Sequence, residues 1–571
     1  MMNQNIPADL TLINGALHGH AKEINTLIIK NGRIELLGSG SRLESIPAKR
    51  VIDLNGRAVY PGFVAAHDHF MMTCQIQDVI ECRTRVNEPI ADYLHRLKGL
   101  IGTPEKDQWI KCRGMSDFKF KEKRFPTLEE LDELSPHNPL SILHSSLHSG
   151  AVNSLALESF NIPLVATGSD AGNPEEIPRD SHGKASGTLH ENAMMPISFP
   201  SIQADFMAKS AQERMALIQK GSALFASYGY TTLCDPLVSP VDLDLYIKAD
   251  QGNAIGQKVF IFPDAEAVER LLACGMSTGF GSGKTIIGPA KIIADGAIGG
   301  QTAAIKEPYI GTDNYGILYY SQDDLDQMVA HLDENGYQIA IHAIGDRAVE
   351  QVVDAFTRVI DPQKGNFKRH RLEHGSVQRP ELIRRIAELG IPVAVQPHAL
   401  VELGDGVIRS YGADRLPQFC PYRSLMDAGI KVTGSADAPI FDLSAIKGMA
   451  ASIVRKTETG AEMTSAEALT PDQAVAMYTV NGAYALGQET RFGTIEEGRD
   501  ADLVVLSRPF STMPAEKWGE RIQVEMTIAN GEIIYDAKDW GIEGLGDWGI
   551  EGFRDLVTNN ILRKKRKIIK N

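Results

Sequence analysis

No run of about 18 consecutive apolar residues occurs anywhere in the chain, so no segment reads as a membrane-spanning helix. The first residues, MMNQNIPADLTLING, lack the basic region and apolar stretch of a secretory signal, and a cytoplasmic address is the default expectation. Cysteine is sparse: Cys74, Cys82, Cys112, Cys234, Cys274 and Cys420 are scattered without a CxxC pair, which argues against both a disulfide framework and a zinc finger. Basic charge is short as well. Lysine and arginine total 58 against 73 acidic residues, a net charge of -15, and a phosphate backbone rewards the opposite sign. The dense basic run Arg563-Lys564-Lys565-Arg566-Lys567 reads as a solvated tail. With 43% hydrophobic and 23% charged residues the composition is that of a globular protein. Neither nucleic acid nor a membrane is therefore the expected partner, and a homodimer is carried as an expected assembly.

What is present is an ordered pattern of strands. Leu10 to Ile13, Thr26 to Lys30, Ile34 to Leu37 and Val51 to Leu54 read as short strands punctuated by Asn31-Gly32 and Asn55-Gly56. The same texture returns in ADLVVLS (Ala501 to Ser507) and MTIANGEIIYD (Met526 to Asp536), with a further Asn-Gly at Asn530-Gly531. The two chain ends can complete one small sheet. Between them, from about Lys258 to Ala438, strand-like and helix-like segments alternate, the pattern of a parallel sheet with crossover helices. Ser321 can cap a helix ending near Gly336, and a second runs from about Asp346 to Ile360. Pro380 starts a third that stops at Gly390. Residues from about Thr73 to Ile202 fit the alternation poorly and read as an insertion after the first barrel strand. DWGIEGLG from Asp539 is echoed by DWGIEGF from Asp547, too few copies for a repeat architecture.

The chemistry begins at His67-Asp68-His69. Residues i and i+2 of a strand share a face, so His67 and His69 can present two imidazoles to one cation; alone, the motif fits a pair of solvated histidines equally well. Other ligand types recur at later strand ends, where a barrel builds its active site: Lys291 in AKIIADG, His342 ending YQIAIH, His374 ending HRLEH, and Asp437 after KVTGSA. Their convergence points to a metal site.

These residues sit in segments that resemble the amidohydrolase superfamily. They resemble in particular its amidohydrolase-3 group, which includes N-substituted formamide deformylases and YtcJ-like proteins. The segments are PGFVAAHDHF, PTLEELDELSPHNPL, LHSGAVNSLAL, SGTLHE, AKIIADGAIGGQTAAIKEPY, IHAIGDRAV, RHRLEHG, VQPH, GSADAP and GTIEEGRDADLVVL. The resemblance implies an α/β chain with a distorted (β/α)8 TIM barrel at 62–485, interrupted at about 73–202. A small β-sandwich would form from 1–61 and 486–540, leaving 541–571 as a tail. It implies two divalent metal ions, with zinc favoured by a histidine-rich set. His67 and His69 would hold one ion and His342 and His374 the other, with Asp437 beside the attacking water as catalytic acid-base and ligand. Lys291 would bridge both as a carbamate formed with carbon dioxide, since an ammonium cannot ligate and a carbamate can; an unmodified Lys291 in an ion pair is the alternative. His148, Asn153, Glu191, Asp295 and Gln396 are candidate substrate contacts or supporting groups, with Asp346 and Arg369 as further supports.

Two departures from the family pattern stand out: Ala65 where an acid is common, and Gly434-Ser435-Ala436-Asp437 where some members read Gly-Ser-Asp. STGFGSGKT (Ser277 to Thr285) imitates a phosphate-binding loop, but Thr278 stands where that motif needs glycine. The expected activity is metal-dependent hydrolysis of a C–N bond in a small amide, with an N-substituted formamide as the leading substrate class. A heterocycle deaminase or cyclic amidase on the same fold is the second reading. A non-catalytic regulatory protein that keeps the fold is the third, and the intact ligand set argues against it.

Overall fold

The computed structural model describes residues 7–43, 46–145, 149–166, 172–174, 176–281 and 283–540. They form two compact units, 7–71 with 218–540, and 72–217. The basic run and nearly all of the DWGIEG duplication lie outside the described residues.

In the first unit two sheets pack face to face. One has four strands, with Leu10–Ile13 between Thr26–Lys30 and Val51–Asp53 and with Arg33–Gly38 at the edge. The other joins both chain ends, in the order Ala16–Leu17, Ala58–Pro61, Leu503–Leu506, Val524–Ala529 and Glu532–Asp536. Alternation decides which side chains meet: Leu10, Leu12, Leu27 and Ile29 of the first sheet share a core with Val59, Leu503, Val505 and Ile528 of the second. Asn31-Gly32 and Asn530-Gly531 adopt positive φ at both positions, as a two-residue hairpin turn demands. Asn55-Gly56 does the same work between sheets, carrying the chain from Val51–Asp53 in one to Ala58–Pro61 in the other.

The remainder of this unit is a (β/α)8 barrel. Phe63–Ala65, Tyr230–Val238, Lys258–Pro263 and Thr285–Ile287 form one parallel run, and Ala290–Ile293, Ile339–Ala343, Arg371–His374, Val393–Val395 and Val432–Gly434 form another. Thr285–Ile287 and Ala290–Ile293 are two pieces of one barrel position. Pro289 lies between them and has no N–H for a ladder. The ring closes beyond the last strand, where Asp437 N donates to His67 O at 3.1 Å and His69 N donates to Ala438 O at 2.8 Å.

Helices cover the barrel where the sequence signals place them. Ser321 caps Gln322–Glu334, its hydroxyl accepting from Asp324 N at 3.2 Å. Asp346–Val359 buries Val349, Val352, Val353 and Phe356 on one stripe, each such side chain contributing about 1.5–3 kcal/mol of transfer free energy. Pro380 opens the next helix and Gly390, at φ 64°, ends it. Lys284 of the imitation phosphate loop donates to the Ile255 carbonyl at 3.1 Å.

The second unit has its own mixed five-stranded sheet, ordered Thr188–His190, Ser149–Val152, Leu140–His144, Ile110–Met115 and Ile80–Glu81. The helix Ile90–Ile101 lays Tyr93 and Leu97 against Cys112, Leu140 and Ile142. Two of its ladders are parallel and two antiparallel, and it has no regular βα alternation to read from sequence.

Candidate metal centre

His67 and His69 follow directly on the first barrel strand, and Lys291, His342, His374 and Asp437 lie in or just beyond later ones, all at one end of the barrel. His374 (φ 68°) and Asp437 (φ 55°) sit in the left-handed region, which costs a non-glycine residue of order 1–3 kcal/mol. Such backbone persists only where the surroundings hold it, and here Asp437 is tied by its own N–H to His67 O.

The side chains converge. Asp437 Oδ1 lies 3.2 Å from His69 Nε2 and 3.7 Å from His67 Nε2. The His67 ring is 4.8 Å from that of His374, which is 4.4 Å from His342. One ligand atom from each of His67, His69 and Asp437 falls within 4.8 Å of the others, a spacing that can close on one cation.

Proton accounting makes the donor set explicit. His67 Nδ1 meets the Glu373 carboxylate, His69 Nδ1 the Pro236 carbonyl at 3.2 Å, and His342 Nε2 the Gly296 carbonyl at 3.2 Å. His374 Nδ1 meets Gln396 Oε1 at 2.7 Å, and Gln396 is oriented by donating from Nε2 to Ser435 Oγ at 3.1 Å. Every partner is an acceptor, so a neutral imidazole spends its N–H there and keeps a lone pair on the other nitrogen. For His67 and His374 that is Nε2, and for His342 it is Nδ1; His69 has acceptors at both nitrogens, the Pro236 carbonyl at Nδ1 and Asp437 Oδ1 at Nε2, so its Nε2 is free for a cation only once the proton facing Asp437 has left.

At His67 and His374 the electrostatics agree with neutral imidazoles. Burial, then the nearby Lys291 charge, brings His67 down to about 4 despite Glu373. Burial and the neighbouring His342 push His374 well below its ordinary value. For His69, burial opposes protonation, but the hydrogen bond to Asp437 outweighs it and raises the pKa. Burial also opposes ionisation of Asp437 and Glu373; the surrounding histidines hold Asp437, and Arg371 with His67 holds Glu373, well below the carboxylate range.

Lys291 is the oddest member. Its side chain is buried, 5% exposed, and Nζ has no hydrogen-bond partner among the described residues. Burial brings its pKa down to about 8 although Glu373 and Asp437 oppose this. A buried amine without a partner is costly in itself, and a neutral one is a nucleophile. His67, His69 and Asp437 together fit a divalent cation, and the rings of His374 and His342 and the orphaned Lys291 stand beside them.

The supporting residues divide. Asp295, fully buried, accepts from Ala304 N, Ile344 N and Gly345 N at 2.8–2.9 Å and stands 3.5 Å from His342 Nε2, bracing the loop beyond that histidine. Gln396 orients His374. For both, the expectation of substrate contact is corrected: their polar atoms are spent on protein groups. Asn153 also departs from expectation. Its fully buried amide caps Ser154–Ser159 and bonds Leu140 N, Ala156 N, Ser135 O and Asn138 O, leaving nothing for a substrate. Glu191 begins the 3-10 turn Glu191–Ile197, and its side chain, like the whole of His148, is outside the described residues. Asp346 takes Lys306 N at 2.8 Å and pairs with Arg379 at 2.9 Å, while Gly345 is the cap of its helix. Arg369 stacks on Tyr484 at 3.9 Å and pairs with Glu489.

Sequence reasoning missed Glu373, Arg371 and Asp68, all with no measurable exposure. HRLEH contained a signal: an arginine and a glutamate two apart on a strand beside a ligand histidine share a face and can pair there.

The sequence profile described as "Amidohydrolase family" matches residues 50–535. The chain is 28% identical to the N-substituted formamide deformylase of Arthrobacter pascens over 530 residues, covering 89% of this chain and 94% of that one. It is 29% identical to the putative amidohydrolase YtcJ of Bacillus subtilis (strain 168) over 524 residues, 89% and 95% of the two chains. Among solved structures, an uncharacterized metal-dependent hydrolase from Pyrococcus horikoshii OT3 superposes with a TM-score of 0.70 at 21% identity, covering 89% of this chain and 99% of that one, a likeness of fold. The order of strands, the histidine cluster at their ends and the profile match coincide, and the chain is an enzyme of the amidohydrolase family.

Proposed function

We propose that this enzyme hydrolyses a C–N bond of a small amide, with N-substituted formamides as the substrate class to test first. The observation that carries the reading is the gathering of His67, His69 and Asp437 within ligand distance of one another, with the rings of His374 and His342 next to them, at one barrel end that also holds the orphaned amine of Lys291. The formamide class is supported by the relative from Arthrobacter pascens, aligned over nearly the whole chain.

His67 and His69 would hold one divalent ion, and His342 and His374 a second. Lys291, after its neutral amine adds to carbon dioxide and loses a proton, would offer an oxygen to each. When bound, such ions, zinc by this nitrogen-rich set, supply a water of lowered pKa and a charge that polarises a carbonyl. Asp437, ionised and 3.2 Å from His69 Nε2, would accept the proton of the attacking water and deliver it to the leaving nitrogen. The Gly296 carbonyl and Gln396 keep His342 and His374 from turning, and Asp295 braces the loop beyond His342, so the site meets its substrate preorganised.

The test combines metal analysis of protein purified in zinc with a screen of N-substituted formamides, N-acyl amines and cyclic amides. Formate and amine should appear in equal amounts from a formamide, with at least one ion bound per chain. Less than one ion per chain overturns the hydrolase reading. Turnover of another amide class with metal bound replaces only the substrate.

A further inference from the structure

We propose that Glu373 is a positioning residue that locks His67 as its Nδ1–H tautomer and thereby directs Nε2 to a cation, an inference that rests on the metal-centre reading above. Of the ring N–H groups in the cluster, three end on neutral oxygens, those of Pro236, Gly296 and Gln396. Of these four contacts only that of His67 is made to a carboxylate; the carboxylate that His69 faces, Asp437, lies at its other nitrogen, Nε2. A carboxylate makes the opposite nitrogen a stronger donor than a carbonyl does.

Arg371 gives the arrangement its rigidity. Its Nε lies 2.5 Å and its Nη2 3.1 Å from the two oxygens of Glu373, and Nη2 also donates to the Ala66 carbonyl at 2.9 Å. One guanidinium thus holds both the carboxylate on the His67 ring and the backbone leading into His67. Neither Arg371 nor Glu373 has exposed surface, so no solvent competes for the pair, and the Phe262 ring lies 5.3 Å from the guanidinium. With the Arg371 pair fixed, rotation of the His67 ring away from Glu373 would break a buried, charge-assisted hydrogen bond. The position built on His67 and His69 is therefore prepared before a cation arrives.

A purely structural ion pair would leave cation binding unchanged once the protein is folded. The experiment compares wild type, Glu373→Gln and Glu373→Ala as whole chains, measuring cobalt(II) and zinc(II) affinity by chelator competition, with the visible absorption of the cobalt protein as a second readout. Wild type should bind at least one cobalt. Glu373→Gln, which keeps an acceptor oxygen without the charge, should weaken binding of one ion about 10-fold and Glu373→Ala about 100-fold, with altered cobalt spectra. Wild-type affinity and spectrum in folded Glu373→Gln overturn the proposal while leaving the metal centre standing; a wild type that binds no cobalt overturns both. If neither variant folds, 15N-histidine spectra of the wild type decide: a downfield His67 Nδ1–H resonance supports the proposal and a protonated Nε2 refutes it.

Discussion

The Asp68 carboxylate, between the two histidines of the first barrel strand, accepts the backbone N–H of Ala438 at 2.6 Å and that of Ala436 at 3.4 Å. It thereby grips both neighbours of Asp437, while Asp437 N and His69 N bond back across the same gap. The middle residue of the HxH motif is thus the clasp that closes the barrel where the acid-base residue stands. Burial, reinforced by nearby Asp437, raises its pKa to about 8 against the hydrogen bonds that favour ionisation, so the carboxyl is largely protonated at neutral pH. Asp68→Asn, which keeps an acceptor oxygen, should unfold in urea within about 1 kcal/mol of wild type, and Asp68→Ala should lose about 1–3 kcal/mol. Equal losses in both would show that Asp68 acts as an anion.

Asp437→Asn should keep its bound metal and lose about 10²–10⁴-fold in kcat, because an amide can occupy the same pocket but cannot accept the proton. Metal content and kcat measured on one preparation separate the two effects. Full activity in this variant would remove Asp437 from the chemistry.

Lys291→Met should bind less metal and lose at least about 10²-fold in kcat/KM. Metal-free, it should be no less stable than wild type, since it replaces a buried amine without a partner by an apolar chain of similar length. Thermal unfolding after chelation gives the comparison, and a marked fall in Tm would mean that Lys291 has a structural partner.

Asp295→Ala should cost roughly 3 kcal/mol or more, because three backbone N–H groups lose one acceptor in a buried place. Urea denaturation reads this directly. A change under 1 kcal/mol would show that water replaces the carboxylate.

His370 predicts a pH dependence away from the metal cluster. Its Nδ1 accepts Ile339 N at 3.1 Å and its Nε2 meets Asp333 at 3.0 Å, so protonation sets two donors against each other. Burial takes its pKa to about 4, against the pull of Asp333. The unfolded chain, titrating near 6.5, binds the proton first, so this contribution is present above pH 6.5 and is lost as pH falls toward 4. The loss should be about 3 kcal/mol. His370→Gln should show a correspondingly shallower decline in urea titrations between those pH values.

Much of this protein is determined by local sequence. Asn-Gly at 31–32 and 530–531 can only turn tightly, Ser321 and Gly390 bound helices by capping chemistry, and the period-two spacing of His67 and His69 puts both on one face. These are short-range consequences of backbone geometry. The residue-type order from His67 through Lys291, His342 and His374 to Asp437 marks the site for the same reason, since each follows or lies in a recognisable strand. Tertiary structure alone decides what those groups are. Burial turns Lys291 from an ordinary cation into an orphaned amine, and the acceptors at Glu373, Pro236, Gly296 and Gln396 choose which nitrogen of each histidine keeps its lone pair. Asn153 and Asp68 carry the same lesson in opposite directions: a residue expected at the substrate is a helix cap, and one passed over is a clasp. Charge state and tautomer depend on neighbours that are hundreds of residues away in sequence and adjacent only after folding.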